Sequence, residues 1–349
     1  MSVVALPFEK VFEDASSGNL KVQKGDYVAV GRHPIVDQGQ EFIGGYTDDS
    51  AYLVKGKGPW IIFGDHTRAL KFVDFRFCMG ADGVKVLKPK SEIGADPRFL
   101  YHFLVANEIP SAGYSRHYKF LKRLEIPLPP LPEQRRIAAI LDKTDALRRK
   151  RKRAIELLDS LTQSIFLEMF GDPNINPRNL PKIALGDLVK VKSGNGLVAK
   201  DMDENGSFPV YGGNGINGHH SSYMFEEPMI VLGRVGVYCG AVHVTQPHSW
   251  VTDNALYVSE IKRSTSLRYL ADALRFADLN QYAGRAAQPL ISGSRIYPVE
   301  VLFPPLELQR TYERAIASSR SMETLLFDSR ERLEALFSSL QSRAFSGQL

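Results

Sequence analysis

"PPLPEQRRIAAIL" runs from Pro129 to Leu141, and "PPLELQRTYERAI" runs from Pro304 to Ile316. The two stretches share a proline pair, a leucine, an acidic residue and Gln-Arg, and Pro129 and Pro304 stand 175 positions apart in a chain of 349. A proline pair cannot sit inside a helix but can precede one. From Glu133 to Phe170 no Pro or Gly interrupts the text. Apolar residues recur there at Ile137, Ile140, Leu141, Leu147, Ala154, Ile155, Leu158, Leu161, Ile165 and Met169. Spacing by three and four predicts a helix with one sticky stripe. "FGDP" at Phe170 supplies the Gly-then-Pro stop. The second copy, Leu308 to Phe345, carries Tyr312, Ile316, Met322, Leu325, Leu326, Leu333, Leu336, Phe337 and Leu340, and "FSGQL" ends it. A helix of that length spans roughly 57 Å, too long to bury against one small globule. The expectation is an antiparallel pair, with Ile137, Leu141, Leu158, Leu161 and Ile165 facing Ile316, Leu333, Leu336 and Leu340.

The self-similarity reaches upstream of both helices. "LPFEKVFEDASSG" at Leu6 answers "LPKIALGDLVKVKSG" at Leu180, and "HPIVDQGQEFIGGY" at His33 answers "FPVYGGNGINGHH" at Phe208. "WIIFGD" at Trp60 answers "MIVLGR" at Met229, "GVKVL" at Gly83 answers "ALYVS" at Ala255, and "RFLYHFL" at Arg98 answers "RYLADAL" at Arg268. Short β-branched and aromatic runs bounded by Gly, Asp and Asn read as strands. One short helix is expected at Arg98–Asn107 and its counterpart at Leu267–Ala277. Each unit is thus a mixed α+β globule followed by a long helix. Two globules held apart by a two-helix bar, with pseudo-twofold symmetry, is the architecture this predicts.

Composition limits the function classes. Hydrophobic residues make up 44% and charged ones 24%, a balance that suits a soluble protein. "MIVLGRVGVYCGAV" is broken by Arg234, and no apolar run approaches the 18 or so residues a membrane span needs. "MSVVALPFEK" lacks the basic head and apolar stretch of a secretory signal. Cys78 and Cys239 are too few for a disulfide framework or zinc cage and read as buried thiols. The expected location is the cytoplasm. Net charge is +5, and residues 1–174 hold 26 Lys+Arg against 22 Asp+Glu, leaving 18 against 17 for the rest. Much of the excess is "RRKRKR" at Arg148–Arg153, which covers every side of a helix and so reads as a solvated or partner-facing surface, or as a phosphate contact.

No catalytic constellation stands out. "GKGP" at Gly56 lacks the spacing of a phosphate loop, and neither a Gly-x-Ser-x-Gly nor a His-Glu-x-x-His is present. His219–His220 lacks Cys or carboxylate neighbours for a metal. Loop residues able to reach base edges are better represented. The candidates in the first globule are Gln38 and Gln40 in "DQGQ", His66, Thr67 and Arg68 in "GDHTR", and Arg116 and His117 in "YSRHYK". In the second they are Asn214 and Asn217, His219 and His220, Arg234, and Arg285 with Gln288 in "GRAAQP". Any one of these alone is equally a solvated loop residue; the case rests on corresponding loops of both copies being polar and Gly-rich.

"PLPPLPEQRRIAAILDKTDAL" and "SLTQSIFLEMFGDP" closely resemble the spacer of specificity (S) subunits of type I restriction-modification systems. "HPIVDQGQEFIGGYTDD", "WIIFGDHTRALKFVDFRF" and "GADGVKVLKP" look like a first target-recognition domain, and "FPVYGGNGINGHH", "MIVLGRVGVYCGAVHV" and "WVTDNALYVS" like a second. The resemblance implies target-recognition domains at residues 1–128 and 173–303, and spacer helices at residues 129–172 and 304–349. It also implies a non-catalytic chain that reads the halves of an asymmetric bipartite site in double-stranded DNA. Its implied partners are two methyltransferase (M) subunits, which carry S-adenosylmethionine, and restriction (R) subunits using ATP and magnesium; no cofactor is expected in this chain. The second spacer departs from the first at "PPLELQR", and the two recognition domains diverge, so unlike half-sites are expected. The competing expectation is a stand-alone DNA-binding or scaffold protein whose helices dimerise.

Overall fold

Helix signals in the sequence are obeyed to within two residues. In the computed structural model, which describes residues 4–107, 109–110, 115–203, 205–284 and 289–349, the long helices run Leu131–Phe170 and Leu306–Phe345. Each begins one residue after its proline pair, with Glu133 or Glu307 in the first turn, where a carboxylate opposes the helix dipole favourably. The first stops at Gly171, whose φ of 77° only glycine adopts freely, and whose N–H closes on the Leu167 carbonyl at 2.8 Å.

The chain forms two units, Met1–Arg153 with Phe327–Leu349, and Ala154–Leu326. In the first, strands Val4–Pro7 and Glu125–Leu128 pair antiparallel and bring the two ends of the globule together. A four-stranded antiparallel sheet follows in the order Phe12–Asp14, Val84–Pro89, Trp60–Gly64, Leu70–Val73. A second, mixed sheet orders Lys21–Val22, Cys78–Gly80, His33–Val36 and Gly45–Thr47. The short helix Pro97–Ala106, capped by Asp96, closes the core with Phe99, Leu100, Phe103 and Leu104. Ile137 and Leu141 of the first long helix, and Phe337 and Ala344 of the second, are buried in that same cluster.

The second unit repeats the plan. Lys182–Ala184 pairs with Glu300–Leu302, and a four-stranded sheet orders Val189–Ser193, Ala255–Ile261, Ile230–Gly233, Val242–Val244. A three-stranded sheet orders Gly215–His220, Phe208–Gly212, Trp250–Val251. The strands that correspond in sequence occupy the same places in the sheets of both units, and among the described residues Lys21–Val22 has no counterpart in the three-stranded sheet. The short helix Leu267–Phe276, capped by Ser266, corresponds to Pro97–Ala106 in the first unit. Phe166, Phe170, Tyr269, Tyr312 and Ile316 form a buried cluster with ring centroids 4.8–6.3 Å apart. Both cysteines are buried, and burial pushes the Cys78 thiol up to about 11.

Within the first unit the two long-helix segments run antiparallel. Arg136 donates to the Leu349 carbonyl at 2.7 Å, and Arg148 pairs with Glu334 and stacks 4.2 Å over the Phe337 ring. The expected stripe needs correction at five positions: Leu147, Met322 and Leu325 are exposed, and so are Leu161 at 46% and Leu336 at 48%. Thr162 and Phe337, one residue further on, are buried instead, and Leu158, Ile165, Leu333 and Leu340 are half-buried. A straight helix drifts about 20° per heptad against a strict repeat, so one list of apolar positions cannot stay on the seam for forty residues. The stripe is also not solely a helix–helix seam, since Ile137, Leu141 and Ile316 pack into clusters shared with the short helices.

Two glutamines explain why the opening motif recurs. Gln309, fully buried, accepts from the Ser266 N–H at 2.9 Å and the Thr265 hydroxyl at 2.7 Å, and donates to the Pro304 carbonyl at 2.8 Å. Gln134 accepts from the Asp96 N–H at 2.9 Å and donates to the Pro129 carbonyl at 2.8 Å. In each unit, then, the Gln of the repeated phrase ties the cap of the short helix to the start of a long one.

Candidate nucleic-acid interface

Three of the first globule's seven candidates, Gln38, His66 and Thr67, are drawn together by one network. The Gln38 side-chain oxygen accepts from the His66 N–H at 3.2 Å, and the Gln38 carbonyl accepts from the Thr67 hydroxyl. His66 is half-buried; Thr67 and Arg68 are exposed. Arg68 holds φ at 63°, a conformation costly for a residue with a Cβ, and donates to the Ile109 carbonyl at 2.9 Å. Gln38 is therefore engaged in shaping the loop. Gln40 lies apart from that network, exposed in a cleft lined by Phe42, Arg98, Asp142 and Arg149 beside the first long helix.

His117 is a correction. It is 1% exposed, its Nδ1 lies 2.9 Å from the Asp65 carbonyl, and the adjacent Tyr118 N–H donates to the Asp65 carboxylate at 2.7 Å. It latches two segments together and presents nothing to a groove. Arg116 beside it is exposed.

In the second globule Asn214, Asn217 and His219 are exposed on the hairpin between Phe208–Gly212 and Gly215–His220. His219 and His220 lie on opposite faces of their strand, as consecutive strand residues must. His220 packs edge-on against Trp250 with centroids 5.4 Å apart. Among the described residues no group of His, Cys, Asp and Glu assembles that could hold a metal ion. Arg234 is half-buried, its guanidinium donating to the Ser193 hydroxyl at 3.1 Å and the Asp253 carbonyl at 3.2 Å. It braces the loop rather than projecting from it. Arg285 and Gln288 lie outside the described residues.

The basic run is partly consumed by structure. Arg148 is held by Asp145 at 3.3 Å and by Glu334, and Arg149 by Asp145 at 3.0 Å. Lys150 and Lys152 are exposed. Sequence reading missed Lys71, a lysine only 5% exposed beneath the loop that carries Gln40. In "LKFV" it reads as an ordinary outward strand residue, and only the Gly-rich text upstream could have hinted at a loop folded over it. Among the described residues no helix is long and apolar enough to cross a membrane.

Comparison with known proteins bears on this arrangement. The type I restriction modification DNA specificity domain matches twice, over residues 10–157 and 177–314. The type I restriction enzyme EcoprrI specificity subunit of Escherichia coli is 27% identical over 129 residues, 36% of this chain and 32% of that protein. The EcoR124I/EcoR124II specificity subunit of the same organism is 30% identical over 155 residues, 41% of this chain and 38% of that protein. These matches span 32% and 38% of the two relatives' own lengths. In fold, the chain is similar to the S subunit of a type I restriction-modification system from M. genitalium, with a TM-score of 0.67 over 99% of this chain and 96% of that one at 17% identity. With two matches that together cover most of its length, the chain belongs to the type I restriction modification DNA specificity domain family.

Proposed function

We propose that this chain is the DNA-reading specificity subunit of a type I restriction-modification complex. Each globule reads one half of an asymmetric, interrupted duplex site. One observation carries the reading: the two globules share strand order and helix placement, yet their exposed loops differ in length and chemistry. A duplicated scaffold with unlike loops suits two independent readers of unlike half-sites. Exposed Gln40, Thr67, Arg68 and Arg116 on one globule, and Asn214, Asn217 and His219 on the other, are the residue types that meet base edges and phosphates. Catalysis belongs, in this reading, to M subunits carrying S-adenosylmethionine and R subunits using ATP and magnesium.

The test is site selection from a randomised duplex pool by the full chain assembled with its methyltransferase subunits. Two short runs of preferred bases, unlike each other and separated by unread positions, are expected. A single contiguous site, or selection of no sequence, overturns the reading. Methylation or cutting of DNA by the purified chain alone would overturn its non-catalytic part.

A further inference from the structure

Lys71 and His243 hold the same place in the two globules. Lys71 stands opposite Ile62 in one four-stranded sheet, and His243 stands opposite Val231 in the other. Each lies beneath the connection that follows the matched strand of the neighbouring sheet, residues 37–44 in the first globule and Gly213–Asn214 in the second.

Under the first connection Lys71 acts as an internal cation. Its ammonium donates to the Asp37 carbonyl at 2.8 Å and to the Glu41 carbonyl, with the Asp37 carboxylate 3.6 Å away. That carboxylate in turn accepts from the Gly39 N–H at 2.8 Å. One buried charge thereby fixes two carbonyls four residues apart and leaves Gln40, Glu41 and Phe42 exposed. Burying an ammonium is costly, and an apolar side chain would suit packing as well. What an apolar residue cannot do is hold those carbonyls in place. Burial pulls the Lys71 pKa down, with Asp37 opposing.

Under the second connection the shorter His243 suffices, because only two residues must be spanned. Its ring lies against the turn, so that a Cβ on Gly215 would sit 3.4 Å from the His243 Cε1. Its Nε2 is buried and has no hydrogen-bond partner among the described residues. Side-chain reach thus follows loop length at one shared position.

We propose that Lys71 and His243 are positioning residues, each setting the loop that determines the bases read by its own globule. This rests on the DNA-reading function proposed above. Its test repeats the site selection with Lys71→Met and His243→Leu, alongside hydrogen exchange of backbone amides. For Lys71→Met the expected result is at least a tenfold loss of discrimination at one half-site, with the other half-site and affinity for unrelated DNA unchanged. Amides of residues 38–44 should exchange faster while those of Trp60–Gly64 keep their protection, which a general loss of fold would not permit. His243→Leu should relax the opposite half-site. Unaltered base preference in both variants overturns the proposal. If Lys71→Met fails to fold, His243→Leu decides alone, its own hydrogen exchange separating a loosened Gly213–Asn214 turn, to whose Gly213 backbone the imidazole hydrogen-bonds, from a general loss of fold. A wild-type chain that selects no bipartite site overturns the DNA reading itself, whereas wild-type selection with unaffected variants overturns only the positioning role.

Discussion

Replacing Gln309 by Met keeps the side chain's length and removes both its hydrogen-bonding ends. The Ser266 N–H and the Pro304 carbonyl, both paired with Gln309 in a fully buried setting, would then lack partners. An orphaned buried donor or acceptor costs about 1–3 kcal/mol. The Thr265 hydroxyl is only part-buried and can turn to water. The expected loss is therefore about 2–6 kcal/mol, confined to the unit that contains Gln309. Tryptophan gives a local reporter, since the chain has only Trp60 and Trp250, one in each unit. In a Trp60→Phe background, urea unfolding followed at Trp250 should move to lower denaturant by that amount. Gln134→Met, with two partners rather than three and a less buried bond to Asp96, should cost about 2 kcal/mol at the Trp60 reporter. A Gln309→Met midpoint within about 0.5 kcal/mol of wild type would refute the view that the repeated glutamine ties short helix to long helix.

Asp272 is 3% exposed and accepts from the Tyr312 hydroxyl at 2.8 Å and from Arg320 at 2.8 Å while pairing with Arg275, so Asp272→Ala should destabilise the second unit by about 3–5 kcal/mol in the same assay. Ile316→Asp should cost several kcal/mol, whereas Leu161→Asp, on the exposed side, should stay within about 0.5 kcal/mol; equal effects would contradict the seam described. Burial lowers the His102 pKa against the opposing pull of Asp142, 2.8 Å from its Nε2, so the unfolded chain binds the extra proton more readily. Stability of the first unit should be full above the ordinary histidine value of about 6.5 and decline as pH falls below it. His102→Gln should flatten that decline at the Trp60 reporter.

The parts of this fold legible in the sequence are those written in local rules. Proline pairs, an uninterrupted run and glycine stops located both long helices, and matching β-branched runs located the strands of both sheets. What escaped depends on which surface a residue meets in three dimensions. Thr144 and Thr162 are buried on the first long helix, and each returns its hydroxyl to the carbonyl four residues back, so a list of apolar positions passes over them. His117 and Arg234 look like reading residues by type but are spent on bracing loops. Lys71 carries the opposite lesson, a charged residue drawn inward because loop carbonyls from a distant segment close over it. The repeated glutamine was visible in the opening motif, yet its role needed the caps at Asp96 and Ser266 to be seen beside it.

The most direct test of the account is an exchange of one reader. Residues 1–128 are replaced by the equivalent globule of a family member with a different site, and the complex with methyltransferase subunits is put through selection from randomised duplexes. The account predicts that one half-site changes to the donor's bases while the other half-site stays as it was. Change in both halves together, or in neither, would contradict two globules that read independently.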